Sequence, residues 1–127
     1  MRLTRIFTGD DGESHFQDLE VPMTERPYGF LTDWLPVQLM AYRENHPGQD
    51  LDFHVAPRRQ LVVNLFGAVE IETGHGDVRR LGAGDILFAD DTTGRGHISR
   101  DVEGPRRNLF LPLPDDLDIS DWRVLSP

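Results

Sequence analysis

The sequence predicts an all-β domain, built as a sandwich or a barrel. Turn signals recur at short intervals along the 127 residues, which include 12 glycines and 9 prolines. The segments between the turns are short, and they are either strongly apolar or alternate between apolar and polar side chains. Helix signals are poor by comparison. Regular short strands separated by glycine and proline turns are typical of antiparallel β architectures.

The candidate strands follow one another along most of the chain. The N-terminal part predicts an edge strand over 15–21, followed by a loop through Pro22 and Pro27. In the tail, Asp115 or Asp116 could cap at most one short helical turn. The glycines of "ETGHGDV" permit positive φ, so this segment is expected to form a hairpin loop. The remaining runs predicted as strands are 37–45, 60–67, 68–73, 77–81, 85–90, 97–102 and 106–113.

Length and charge limit the classes of function. A chain of 127 residues has no room for a second core, so we expect a single domain over 1–127. The net charge of −9 makes nucleic acids and anionic membrane surfaces poor partners. The chain has no cysteine, which excludes disulfides, thiolate metal sites and a cysteine nucleophile. There is neither a signal-peptide run nor a stretch that approaches a membrane span, so a soluble cytoplasmic protein is expected.

Two separate segments carry the residues of chemical interest. In the first, His54 is followed by Gln60 and Gly67. In the second, "GDILFADDTTGRGH", a strand ends in a loop and His97 begins the next strand. Here the chain resembles the cupin family, whose motifs are G-x5-H-x-H-x3-4-E-x6-G and G-x5-P-x-G-x2-H-x3-N. The interval from Gln60 to Gly67 equals the family's Glu-to-Gly interval, and Gly94 precedes His97 by the interval of the second motif.

The resemblance covers residues 37–113 and implies a cupin-like jelly-roll β-barrel, with the preceding residues as an N-terminal edge extension. The family's metal set is three histidines and one glutamate. His54 and His97 fall on histidine positions, but Ala56 and Gln60 occupy the positions of another histidine and of the glutamate. Two neutral imidazoles and an amide offer a dication no anionic ligand. We therefore expect either no required cofactor or a weakly held Fe, Mn, Ni or Zn ion on His54, Gln60 and His97.

Strand alternation predicts which side chains face the lumen, because successive residues of a strand point to opposite faces. If Gln60 faces inward, the residues two, four and six positions further along do so as well. Tyr42 on another strand could add a hydroxyl donor, and Asp91 in the loop before His97 could add a carboxylate. The predicted ligand-binding residues are therefore Gln60, Val62, Asn64, Phe66, Tyr42 and Asp91. Asp91 would bond His97 or a ligand, and either Asp91 or His75 could supply an off-motif third metal ligand.

His54 and His97 are the candidate catalytic residues. A histidine titrates near neutrality, which is the range that a general base requires. The pattern favours a lyase- or isomerase-type enzyme in which one of them moves a proton of a small organic acid or carbonyl compound, while Gln60 and Asn64 hold an oxygen. Two alternatives stay open: a non-catalytic small-molecule binding or sensing protein, and a divalent-metal-dependent oxygenase.

The opposite face of the same strand carries Leu61, Val63 and Leu65, and three aliphatic side chains in a row are costly to expose. A second sheet, the N-terminal segment or a partner subunit must cover them. Small cupins often pair through such a sheet, so the resemblance implies a homodimer. In such a dimer, residues 1–36 could close the barrel or exchange between subunits.

Overall fold

The computed structural model describes residues 1–125, and every regular element in that range is a β-strand. The all-β prediction is therefore confirmed. No helical turn forms in the described part of the tail, where hydrogen-bonded turns precede the last strand. The strands are β1 (Arg2–Thr8), β2 (Ser14–Glu20), β3 (Met23–Arg26), β4 (Gly29–Thr32), β5 (Ala41–Glu44), β6 (Asp50–His54), β7 (Gln60–Glu72), β8 (Val78–Leu81), β9 (Ile86–Asp90), β10 (His97–Pro112) and β11 (Arg123–Val124).

Nine of these strands form one sheet in the order β11-β2-β1-β9-β7-β10-β5, with β6 beside β10 and β8 beside β7. Neighbours are antiparallel except β1 and β9, which run parallel. The hairpin β3–β4 is a separate two-stranded sheet. The large sheet does not close into the expected barrel. It is bent, and its two halves face each other in a way that is consistent with a β-sandwich.

The bend lies in the two longest strands. Four runs that the sequence predicts as separate strands merge into β7 and β10, of 13 and 16 residues. β7 turns at Gly67, whose φ is +77° and whose position would place a Cβ atom 2.5 Å from the carbonyl oxygen of Glu103. β10 is irregular opposite this point, between Asp101 and Asn108. As a result β7 pairs with β9 before the bend and with β8 after it.

Two apolar clusters stabilise the bent sheet. Neighbouring Leu61 and Val62 lie in different clusters, as strand alternation predicts. Leu61 is covered by the chain's own tail, whereas Leu65 on the same face is 43% exposed. The cluster that joins the two halves contains Ile6, Ala56, Val62, Val69, Ile71, Leu81, Leu87 and Ala89. The cluster on the opposite face contains Leu3, Leu19, Val21, Leu61, Phe88 and Leu113, with Leu117, Ile119 and Trp122 packed against it.

The N-terminal part is more structured than the sequence predicts. The expected edge strand is present as β2, but β1 lies inside the sheet, between β2 and β9. Leu3 and Ile6 of β1 are buried in different clusters, so the strand is covered on both faces and shows no clean alternation. That two-sided burial explains why its sequence gives a weak strand signal.

A charged network fastens the tail to this part of the sheet. Asp90 accepts hydrogen bonds from Arg5 at 2.6 and 2.9 Å and from Arg59 at 2.8 Å. Nη1 of Arg59 donates to the backbone carbonyl oxygens of Pro114, Asp115 and Leu117. Arg59 is therefore a structural residue rather than the exposed edge charge that a paired arginine usually is.

Candidate functional site

A cavity of about 250 Å³ lies between the two halves of the bent sheet. This lies just below the range of about 300–1,000 Å³ typical of ligand pockets, which suits a small metabolite rather than a drug-sized ligand. Its walls are mostly apolar, from Leu51, Val55, Ala56, Pro57, Val62, Val69, Ile71, Leu87, Ala89 and Phe110. The polar and charged side chains that line it are Arg43, His54, Gln60, His97, Ser99 and Arg106.

The two histidines that the sequence singles out meet at this cavity. His54 ends β6 and His97 begins β10, and the two residues face each other in the β6–β10 pairing. Their ring centroids are 4.5 Å apart and the ring planes are inclined by 58°. The approach depends on Gly96, because a Cβ atom at that position would lie 2.0 Å from the carbonyl oxygen of His54. The sequence therefore brings together two imidazoles from distant segments.

His97 is held by a buried carboxylate. Its Nδ1 lies 2.5 Å from Oδ2 of Asp91, and the hydroxyl of Ser14 donates to the same oxygen at 2.7 Å. Asp91 is completely buried, and its other oxygen, Oδ1, has no hydrogen-bond partner among the described residues. A buried carboxylate on Nδ1 fixes the ring and stabilises the imidazolium that forms when Nε2 takes up a proton. The predicted bond between Asp91 and His97 is present, whereas Ser14 was not foreseen.

His54 is oriented by the backbone. Its Nδ1 lies 2.8 Å from the carbonyl oxygen of Asp52. A carbonyl oxygen only accepts hydrogen bonds, so Nδ1 carries the proton in the neutral ring and Nε2 keeps the lone pair. Both histidines thus use Nδ1 for positioning. Within residues 1–125, neither Nε2 atom has a hydrogen-bond partner.

Gln60 supplies an unpaired amide to the same cavity. The residue begins β7 and is only 7% exposed, yet its side chain makes no hydrogen bond with any other described residue. An amide without a protein partner at the wall of a cavity is available to bond an oxygen or a hydroxyl of a ligand. Gln60 therefore offers both a donor and an acceptor to a molecule in the cavity.

Two arginines add positive charge to the lining. Arg106 is buried and has an anionic partner, because its Nη1 donates to Asp101 at 3.0 Å and its Nε donates to Oδ1 of Asn64 at 3.1 Å. Arg43 lies over the ring of Phe110 at 4.7 Å, and it forms no ion pair or hydrogen bond through its guanidinium in the described structure. Burial lowers the pKa of Arg43, and repulsion from Arg106 lowers it further, while Asp101 opposes the shift.

The lining of the cavity contains no aspartate or glutamate within the described residues, although the chain as a whole carries a net charge of −9. The charged side chains at the cavity are therefore positive, although the chain as a whole is acidic. A bound anion would pair with Arg43 and offset the cost of its burial. The arrangement can bind a small carboxylate and present the rest of the molecule to the imidazoles.

Four predicted ligand-binding residues do not line the cavity, and one of them, Asp91, lies behind it and is bonded to His97. Asn64 is buried but is used structurally, since it accepts from Arg106 and donates to the carbonyl oxygen of Gly67 at 2.7 Å. Phe66 is 53% exposed because the bend at Gly67 interrupts the alternation of β7. Tyr42 is half exposed and bonds Glu44, which raises its pKa. On β5 the inward position belongs to Arg43, one residue further along.

The lining residues fit a metal ion poorly. His54, Gln60 and His97 are present as predicted, but the nearest carboxylate, Asp91, is bonded to His97 and to Ser14. The donor set is therefore two imidazoles and one amide, without an anionic ligand to offset a divalent charge. His75, the other off-motif candidate, belongs to a different cluster with Asp11 and His15.

A larger groove of about 460 Å³ lies beside β1 and β2. Its principal charged groups are paired with each other, since Arg79 donates to both carboxylate oxygens of Asp18 at 2.7 and 3.0 Å. It is lined by no histidine from the described part of the chain. The cavity with the two imidazoles therefore remains the candidate site.

Comparisons with known proteins do not assign this chain to a family. No family model matches the sequence, and no curated protein matches it either. Residues 1–125 contain no helix of the length and apolar character that crossing a membrane requires. The functional argument consequently depends on the geometry of the cavity.

Proposed function

We propose that the protein is an enzyme of the lyase or isomerase type that acts on a small organic acid or carbonyl compound, and that its bent sheet is a cupin-like jelly roll. The observation that carries the proposal is the pair of imidazoles in a mostly apolar cavity, one of them held by the buried carboxylate of Asp91. A fold hosts many activities, so the argument rests on these side chains.

Arg43 is the proposed anchor for the substrate. Its guanidinium is partly desolvated and has no anionic partner in the described structure, and a substrate carboxylate would supply one. Gln60 then binds a carbonyl or hydroxyl oxygen of the same molecule. A charge-assisted hydrogen bond contributes about 1.5–3 kcal/mol. Replacing Arg43 by glutamine should thus weaken binding of the acid about 30-fold, which corresponds to ~2 kcal/mol.

His97 is the proposed general base. Its Nε2 takes the proton from the carbon next to the substrate carbonyl, and the C–H electron pair becomes part of an enolate. For isomerisation, the proton of the neighbouring hydroxyl passes to the carbonyl oxygen, and the imidazolium returns its proton to the former carbonyl carbon. For elimination, the imidazolium gives its proton to a departing hydroxide, which leaves as water. Asp91 stabilises the imidazolium in both cases. His54 Nε2, which is unprotonated in the neutral ring, accepts a hydrogen bond from the substrate hydroxyl.

Exchange of the α-proton for deuterium, followed by NMR on a panel of small carboxylates, tests this function without knowledge of the product. We expect exchange with the wild-type chain and a loss of about 10²–10⁴-fold in rate with His97→Gln. His46→Gln, at an exposed loop position, is the control and should exchange at the wild-type rate. Binding of an acid without exchange in any member of the panel would instead identify a non-catalytic binding or sensing protein. Turnover that requires both a divalent metal and O₂ would identify the oxygenase alternative.

We also propose a homodimer through the N-terminal hairpin. The β3–β4 sheet pairs only with itself in the described structure, and an isolated two-stranded sheet is marginally stable. It exposes large apolar side chains, with Tyr28 78% and Phe30 66% exposed, and Trp34 beyond it is 89% exposed. A second copy of the chain would cover this surface. Light scattering should give a dimer that Phe30→Asp dissociates and that Val78→Asp leaves intact, and a monomeric wild type would refute the proposal.

A further inference from the structure

A second group of metal-ligating side chains lies outside the cavity, where two hairpin turns adjoin. Asp11 is in the turn between β1 and β2, His15 is on β2, and His75 is in the turn between β7 and β8. One donor atom from each lies within 4.8 Å of the other two. His75 Nε2 is 2.8 Å from one carboxylate oxygen of Asp11, and His15 Nε2 is 3.0 Å from the other.

Local structure holds the three groups in place. The backbone N–H of Glu13 donates to Asp11 Oδ1 at 3.0 Å, which fixes the carboxylate over the turn. His15 packs against the Gly9 backbone so closely that a Cβ atom at Gly9 would lie 2.6 Å from its ring. The imidazoles of His15 and His75 are 5.4 Å apart between centroids. The carboxylate therefore lies between two imidazoles whose Nε2 atoms both point at it.

The charges around the cluster favour a cation. Asp11 binds both imidazoles, which lowers its pKa and raises that of His75. Glu13 and Asp77 add negative charge near His75. One oxygen of Glu13, Oε2, is buried without a hydrogen-bond partner among the described residues, and lies where a Cβ atom of Gly74 would be. Two cations also lie nearby: Arg95, which donates to the other oxygen of Glu13 at 3.3 Å, and Arg79, which is paired with Asp18.

We propose that Asp11, His15 and His75 form a Zn²⁺ site that joins the two hairpins. Two imidazoles and one carboxylate are a known zinc donor set, and the fourth position is open to water or to Glu13. Tetrahedral bonds of about 2.0–2.1 Å place neighbouring donor atoms ~3.3 Å apart. Asp11 Oδ2 lies 2.8 Å from His75 Nε2 and 3.2 Å from His15 Nε2, so around this one oxygen both distances need to widen by about half an ångström or less.

This site is independent of the proposed catalytic function. None of its three ligands lines the cavity, and the residues of the cavity offer no equivalent set. A zinc ion here would bridge residues 64 positions apart in the sequence, Asp11 and His75. It would bind the folded chain and not the unfolded one, so it would raise the melting temperature, and raise it further as the free zinc concentration increases above the dissociation constant.

Titration of the chelator-treated chain with ZnCl₂ by calorimetry tests the proposal, with Co²⁺ absorption as an independent measure of tetrahedral coordination. We expect one equivalent of Zn²⁺ and a rise in melting temperature. His15→Ala and His75→Ala should each weaken binding at least about tenfold. Binding should also weaken as the pH falls through the histidine range, because the ligating imidazoles must be neutral.

His97→Ala and His46→Ala are the matched controls. Each removes one imidazole from outside the cluster, and both should keep the full equivalent of zinc. Circular dichroism in the presence of chelator establishes that every variant is folded. The proposal is overturned if the wild-type chain binds no zinc. It is also overturned if His15→Ala and His75→Ala both still bind one equivalent of zinc, or if His97→Ala no longer binds zinc. The last result would place the metal in the cavity.

Discussion

Gly96 is the residue on which the approach of the two imidazoles depends, and replacing it by alanine gives a quantitative test of the site. Its φ of +80° lies in the left-handed region, where an L side chain costs about 1–2 kcal/mol. The new Cβ atom would also lie 2.0 Å from the carbonyl oxygen of His54, about 1.0 Å inside the 3.0 Å below which real Cβ contacts are essentially never found. Overpacking of this kind adds ~1–3 kcal/mol. We expect Gly96→Ala to lower the free energy of unfolding by about 2–5 kcal/mol.

Gly84→Ala is the matched control, because Gly84 has a φ of +87° but nothing within 4 Å of its Cβ position. It should lose only the backbone contribution of about 1–2 kcal/mol. Urea unfolding monitored by circular dichroism measures both variants, with the slope of each transition compared to that of the wild type. Equal losses in the two variants would refute the argument that the β6–β10 contact is tight. A displacement of about 1 Å at His54 should also slow the proposed proton exchange by ~10²-fold.

Two further predictions concern charged groups away from the cavity. Asp90→Ala removes the common partner of Arg5 and Arg59 and leaves both guanidiniums partly buried without their carboxylate. We expect the free energy of unfolding, measured in urea, to fall by about 3 kcal/mol. A decrease below ~1 kcal/mol would mean that the network is dispensable. The Asp11–His75 pair raises the pKa of His75 above 6.5 and, as the second cause after the hydrogen bond from His15, lowers that of Asp11 below 3.8. Its contribution to stability is therefore complete only between these two values, is lost as the pH rises through the raised value of His75, and is lost again in strong acid. In chelator, the melting temperatures of wild type and His75→Ala should differ most within that interval and converge in alkali; a constant difference would contradict the assignment.

Local patterns were sufficient to predict the parts of the site that lie close together in sequence. Gln60, Leu61 and Val62 alternate between the two faces of β7 as their sequence indicates. Asp91 bonds His97, which is six residues away, across the loop that the sequence placed between them. In these cases a single strand or loop fixes the geometry, and elementary period-two reasoning is enough.

The remaining features depend on contacts that local patterns do not encode. Phe66 leaves the inner face because β7 bends at Gly67 to accommodate the backbone of β10. A one-residue difference in register puts Arg43 rather than Tyr42 inside. Ser14 reaches Asp91 from 77 residues away, so no short motif could have indicated it. The cationic character of the cavity likewise emerges only when β5 and β10 are brought together.

The position of β1 between β2 and β9 has a consequence for synthesis of the chain. Its first neighbour, β2, follows after one short turn, but Thr4 pairs with Leu87 and Phe7 with Asp90. While a ribosome is still producing the intervening segment, one edge of the early hairpin therefore has free N–H and C=O groups beside apolar side chains. Exposed edges of this kind recruit other strands. The nascent chain, rather than the finished protein, is accordingly the form with the greatest need of a chaperone.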